Sequence, residues 1–212
     1  MDRDQSLEKF LVYQWNTHKP LQAIAFNEFR QTFIALDNNG KLWKDMVYKK
    51  ILEKYYVQEI NANILVQDYL ENFAHYCIVF PDVLSVLKKF RSKQIKLGII
   101  TNGREDLQSS VIASCGLRNV MDVILISESE GIKKPDTAIF KIGLDKLSLL
   151  PSASVFIGDN PQADIQGGYN AGMETVWKEN HIFSPPDTSI TSAIFNKFEE
   201  LPDIINQIED SA

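Results

Sequence analysis

Apolar residues recur every third or fourth position from residue 6 to about residue 74, as in Leu7, Phe10, Leu11 and Trp15 and again in Ala23, Phe26, Phe29, Phe33 and Ile34. That spacing predicts amphipathic helices. Breaks at Lys19-Pro20, at Asp37-Asn38-Asn39-Gly40 and around Asn61-Ala62-Asn63 divide the stretch into four, with Ser6 expected to cap the first. The first third, residues 1–79, is therefore expected to be an all-α unit.

Past Phe80-Pro81 the pattern changes. A helix over 81–92 leads into the short apolar run at 95–100, which has the length and composition of a buried strand. Helix 105–114, strand 123–126, helix 137–147, strand 155–157, helix 163–171 and strand 175–177 follow in alternation. A helix between each pair of strands predicts βαβ crossovers and a Rossmann-like, doubly wound parallel sheet over 80–212. The Pro-, Ser- and Thr-rich tail at 184–194 reads as irregular, and a last helix is expected over 201–208.

Composition adjusts this picture in a few places. With 22 basic against 28 acidic residues in 212, the net charge of −6 disfavours a partner such as a nucleic acid polymer or an anionic membrane. Lys, Asp or Glu interrupt every apolar run short of the ~18 to 20 residues needed to cross a bilayer. The opening MDRDQSLEK has neither an apolar signal core nor a transit-peptide bias, so the expected location is cytoplasmic. Cys77 and Cys115 read as free thiols and His18, His75 and His181 show no ligand spacing. The aromatics Trp15, Phe26, Phe29, Phe33 and Trp43 read as core of the helical unit. Oligomeric state is not legible.

In an open parallel sheet the segments that follow the strands share one edge, where ligands bind. Here those segments are Thr101-Asn102-Gly103, a loop through Gly131-Ile132-Lys133-Lys134-Pro135-Asp136, and Gly158-Asp159-Asn160 with Asp164 five residues beyond Asp159. A hydroxyl, backbone N–H groups of a glycine turn and a lysine suit a phosphate dianion. One or two carboxylates suit Mg2+, which keeps water and a substrate oxygen as further ligands.

The stretches LGIITNG at 97–103, SESEGIKKPDTAIF at 127–140 and VFIGDNPQADIQGGYNAGMETVW at 155–177 resemble, in order and spacing, the second, third and fourth motifs of the haloacid dehalogenase-like hydrolases. The wording around Thr101 and Lys134 is most similar to the phosphatase and 5′-nucleotidase branch, and the all-α unit resembles the helical cap of one subgroup. The resemblance implies a Mg2+-dependent phosphomonoester hydrolase that works through an aspartyl-phosphate on a small phosphorylated metabolite. It implies that Thr101 and Lys134 are catalytic, that Thr101, Asn102, Gly103 and Lys134 bind phosphate, and that Asp159 and Asp164 serve the metal. The family's first motif, an apolar strand ending in Asp-x-Asp, has no counterpart; Asp2-x-Asp4 imitates its letters with only Met1 before it. The central first strand is therefore expected to be missing and the chain to be N-terminally shortened. Two alternatives remain at this level: a catalytically silent module binding a phosphate ligand or a protein, and a metal-independent displacement of halide.

Overall fold

A computed structural model describes Met1 to Ser211. The chain divides into two compact units, Met1–Val79 and Phe80–Ala212.

The first unit holds α1 (Arg3–Thr17), α2 (Phe26–Asp37), α3 (Lys44–Lys54) and α4 (Ala62–Asn72). Phe10, Phe29, Phe33, Tyr48 and Leu65 are fully buried between them, as helical spacing requires, and the Phe10 ring meets Tyr69 edge-on at 5.1 Å. Trp15 is half-buried against Phe26, and its indole donates to the Ile24 carbonyl at 2.9 Å. Two polar knots lie in this apolar core. Asp37 accepts from Arg3 at 2.5 Å, from the Gly40 N–H at 2.9 Å and from the buried Lys44. Burial lowers the Lys44 pKa and the Asp37 charge opposes that shift. Asp68 accepts from Gln14 at 2.9 Å, Asn72 at 2.9 Å and Tyr13 at 3.1 Å, with His18 Nε2 also 3.1 Å away.

The helix cap differs from expectation. Asp2 caps α1, accepting from the Gln5 N–H at 3.1 Å, while Ser6 lies inside the helix and is buried. The Ser6 hydroxyl instead accepts from the Ile78 N–H at 2.9 Å and donates to the Asp2 carbonyl, joining the two ends of the unit. A carboxylate placed before the first turn satisfies the orphan N–H groups that Ser6 was expected to serve.

In the second unit α5 (Val83–Ser92) precedes β1 (Gly98–Thr101), α6 (Glu105–Ser114), β2 (Val123–Ile126), the short α7 (Ser127–Glu130), α8 (Thr137–Leu147) and β3 (Val155–Gly158). A wide π-type turn, Pro161–Gln166, runs into α9 (Gly167–Asn170), followed by β4 (Glu174–Lys178), β5 (Ala193–Phe195) and α10 (Leu201–Ser211). All pairing is parallel, as the alternation predicted, but it forms two sheets, β1-β2 and β3-β4-β5.

Shared apolar clusters tie the two sheets together. Ile100 and Leu125 of the first pack with Phe140 of α8 and Phe156 of β3. On another cluster, Phe90 of α5 meets Leu97, Val155, Val176 and Phe195. Every residue of β4 from Thr175 to Trp177 is buried, whereas no residue of β1 or β3 is. Among the described residues, β1 and β3 each have a hydrogen-bonded strand neighbour on one side alone.

β1 starts three residues later than its apolar run. Ile95 closes the end of α5 by donating to the Phe90 carbonyl at 3.1 Å, with Gln94 in the left-handed region at φ 63°. Leu97 donates to the Asp122 carboxylate at 2.8 Å, so both residues are spent on the entry to the sheet. β5 was not expected: it starts within the tail read as irregular and ends one residue past it at Phe195, the one buried residue of the strand.

Candidate active site

The site is built where β1, β2 and β3 end. Thr101 closes β1, half-buried, and its hydroxyl donates to Gln108 Oε1 on α6 at 3.0 Å. The next side chain, Asn102, is committed to the second loop. Asn102 Oδ1 accepts from the Lys134 N–H and Asn102 Nδ2 donates to the Lys134 carbonyl, both at 2.9 Å. One amide thereby satisfies both backbone groups of one residue, as a neighbouring strand would. The Gly103 N–H donates to Ser127 Oγ at 3.0 Å, tying the first loop to the start of α7.

Lys134 reaches inward from the second loop. Its ammonium lies 2.7 Å from Asp164 Oδ1, with the two side chains only 11% and 6% exposed, and 5.2 Å from the centre of the Phe156 ring. Lys134 therefore bridges from the β1 loop, through Asn102, to the segment after β3.

Both oxygens of Asp164 are engaged. Its Oδ2 accepts from the Asp159 N–H at 3.0 Å and the Asn160 N–H at 2.9 Å, while Oδ1 holds Lys134. The carboxylate drawn back over the loop accompanies the π-type winding of Pro161–Gln166, in place of the regular helix expected from 163. Gly158 is required beneath it, because a Cβ there would fall inside the Asp164 side chain.

Asp159 has its backbone fixed on both sides. Its N–H is held by Asp164, and its carbonyl accepts from Trp177 Nε1 at 3.0 Å and from Asn180 Nδ2 at 2.8 Å. Its carboxylate has no hydrogen bond or ion pair to another side chain among the described residues. The residue is exposed overall, yet protein atoms crowd the carboxyl: desolvation raises its pKa first, the Asp164 charge raises it further, and Lys134 opposes both. A group in that position gains from a cation brought to it.

Thr101, Asn102, Gly103, Lys134, Asp159 and Asp164 thus all stand beyond the carboxyl ends of the strands of the two sheets. Lys134 and Asp164 touch; Asp164 and Asp159 share a backbone hydrogen bond; Thr101 joins them through the Asn102 clamp. Gln108, Ser127, Trp177 and Asn180 belong to the same construction and were not anticipated. Asn180 follows β4 by two residues, so the rule that ligands meet the carboxyl edge, extended to the fourth strand, points to it. No cluster of three or more metal-ligating side chains occurs among the described residues. That still suits Mg2+, which takes one or two carboxylates and completes its shell with water and a phosphate oxygen.

The sequence profile described as "Haloacid dehalogenase-like hydrolase" matches residues 15–178. The chain is 30% identical over 140 residues to a phosphoserine phosphatase of Thermus thermophilus, covering 66% of this chain and 56% of that protein. It is 32% identical over 138 residues to the pyrimidine 5′-nucleotidase YjjG of Escherichia coli, covering 65% and 61%. The chain thus spans less than two thirds of the length of these two relatives. Among solved structures, the magnesium-bound HAD-hydrolase YfnB of Bacillus subtilis has the same fold, with a TM-score of 0.76 at 24% identity over 97% of this chain and 93% of that one.

Proposed function

Because the chain belongs to the haloacid dehalogenase-like hydrolase family, we propose that its second unit carries the phosphate- and metal-holding side of a phosphomonoester hydrolase site. The observation that carries this reading is the Lys134 ammonium held 2.7 Å from a buried carboxylate, beside the Thr101 loop and the uncommitted Asp159 carboxylate. A fixed cation at a strand edge, a hydroxyl and a carboxylate form the set that a phosphoryl group and Mg2+ need together.

In this reading Thr101 and Lys134 bind the transferring phosphoryl group. Asp159 offers the metal a direct ligand, and Asp164 supports the metal from behind by fixing the Asp159 peptide and Lys134. Mg2+, when bound, would neutralise charge on the phosphate oxygens. Beside Asp164, Lys134 lends an electropositive face to the site. The family resemblance assigns attack on phosphorus to an aspartate, the ester oxygen leaving and water then releasing phosphate. Asp2 does not read as that group, since its carboxylate caps α1 in the first unit. The named relatives, a phosphoserine phosphatase and a pyrimidine nucleotidase, support a small phosphomonoester as the substrate class and do not favour a silent binding module.

The test compares Mg2+-dependent hydrolysis of p-nitrophenyl phosphate by this chain and by the chain preceded by an apolar strand ending in Asp-x-Asp. Turnover by the extended chain that EDTA stops, and that Lys134→Gln or Asp159→Asn removes, is the expected result. Turnover indifferent to EDTA and to both substitutions would overturn it.

A further inference from the structure

The Asn102 side chain uses both polar atoms of its amide on the backbone of a residue 32 positions away. Few single side chains could do this. The Lys134 N–H and carbonyl point at Asn102 with the alternation of donor and acceptor that a planar amide complements, and both bonds are 2.9 Å. The consequence is mechanical. β1 and β3 belong to different hydrogen-bonded sheets, and the Lys134 loop joins their carboxyl ends. Asn102 secures that loop to β1, and the Asp164 ion pair with the Phe156 ring secures it on the β3 side. Without the clamp the Lys134 backbone would be anchored from the β3 side alone, and its ammonium would be free to follow Asp164 away from Thr101.

We infer that Asn102 is a positioning residue, which sets the affinity of the site for a phosphate group by holding the Lys134 backbone and not by touching the anion with its own side chain. The inference rests on the phosphate reading of the site. It also revises the role of Asn102, from anion ligand to strut. Its Oδ1 and one N–H of its Nδ2 are engaged by Lys134, which orients the amide along that backbone, and the double-mutant cycle below separates this role from a direct contact through the second N–H.

The experiment is a double-mutant cycle on the full chain, with inorganic phosphate as the probe and affinity measured by NMR titration. Asn102→Ala is expected to weaken phosphate binding about tenfold, in line with losing two hydrogen bonds of ordinary net strength. In a Lys134→Gln background, where the ammonium is gone, the same substitution is expected to change affinity less than twofold, because its only route is through that ammonium. Hydrogen exchange supplies a readout that does not depend on binding. The Lys134 amide should exchange at least tenfold faster in Asn102→Ala while the Ile99 and Ile100 amides of β1 do not change, and Asn102→Asp, which keeps the acceptor, should retain the protection. An equal loss of affinity in both backgrounds would make Asn102 a direct ligand and overturn the inference, as would an unchanged Lys134 amide. If the unsubstituted chain and Lys134→Gln bind phosphate alike, the phosphate reading fails, and with it this role, while the exchange data still report whether the clamp exists.

Discussion

The substitution Asp164→Asn separates two roles that a carboxylate at this place could have. Asp164 is 5% exposed and makes three contacts: the Lys134 ammonium at 2.7 Å and the N–H groups of Asp159 and Asn160 at 3.0 and 2.9 Å. An asparagine of the same shape can still accept from the two N–H groups through its oxygen. Its NH2 would then face the ammonium, donor against donor, and the charge pair would be lost. Removing one partner of a buried pair costs about 3–5 kcal/mol. The Lys134 side chain is 11% exposed, so its head group can recover some hydration, which brings the expected loss to about 2–4 kcal/mol. At about 2–4 °C per kcal/mol for a chain of this size, the melting temperature should fall by about 5–15 °C. The assay is calorimetry of both proteins in EDTA at neutral pH. A carboxylate whose only task is to help hold a metal would behave in the opposite way, because without metal its removal relieves the repulsion from Asp159 that contributes to the raised Asp159 pKa. A metal-free Asp164→Asn that melts at or above the parent would refute the structural role.

Asp159→Asn should weaken Mg2+ binding at least tenfold by isothermal titration while leaving the metal-free melting temperature unchanged or slightly raised, since a crowded carboxyl with a raised pKa is replaced by a neutral group; undiminished affinity would contradict the assignment. In the first unit, Asp37→Ala leaves Lys44, only 3% exposed, without its counter-ion and should cost about 3–5 kcal/mol in urea unfolding; a loss under 1 kcal/mol would show that Arg3 and Lys44 do not depend on it. Asp122 has its pKa lowered by the Leu97 N–H first and by Arg91 next, so its contribution is present above the ordinary carboxylate value of 3.8 and is lost as pH falls through its depressed folded value. The stability gap between the parent and Asp122→Asn, at most about 1 kcal/mol for so exposed a pair, should therefore close on acidification; a gap that widens below pH 4 would reverse the sign.

Element type was legible because it is local. Four helices of the first unit, the alternation of β1, α6, β2, α8, β3 and β4, and the last helix all follow from periodicity and from where Gly and Pro interrupt it. The three loops were legible for a topological reason: parallel strands present their following segments at their carboxyl ends, so Thr101, Lys134 and Asp159 were expected together, and the apolar clusters shared by the two sheets bring them there. β5 escaped because three residues carry too little pattern to stand out from a Pro-rich tail, and they form a strand only through pairing with β4.

What each polar atom does could be decided only in three dimensions. Asn102 and Lys134 are 32 residues apart, and Trp177 reaches the Asp159 carbonyl from 18 residues away. Their hydrogen bonds depend on the depth and register of strands that meet through packed side chains, which no local spacing records. The same holds for Asp164, read from sequence as a carboxylate for the metal and found with both oxygens already engaged. It holds too for the buried Asp37–Lys44 pair, seven residues apart, whose exclusion from water depends on the aromatic residues packed around it. The sequence by itself determined which groups reach the edge; the tertiary structure decided which of them hold the site in place and which remain uncommitted, because a polar atom's role depends on which partner the fold brings within 3 Å of it.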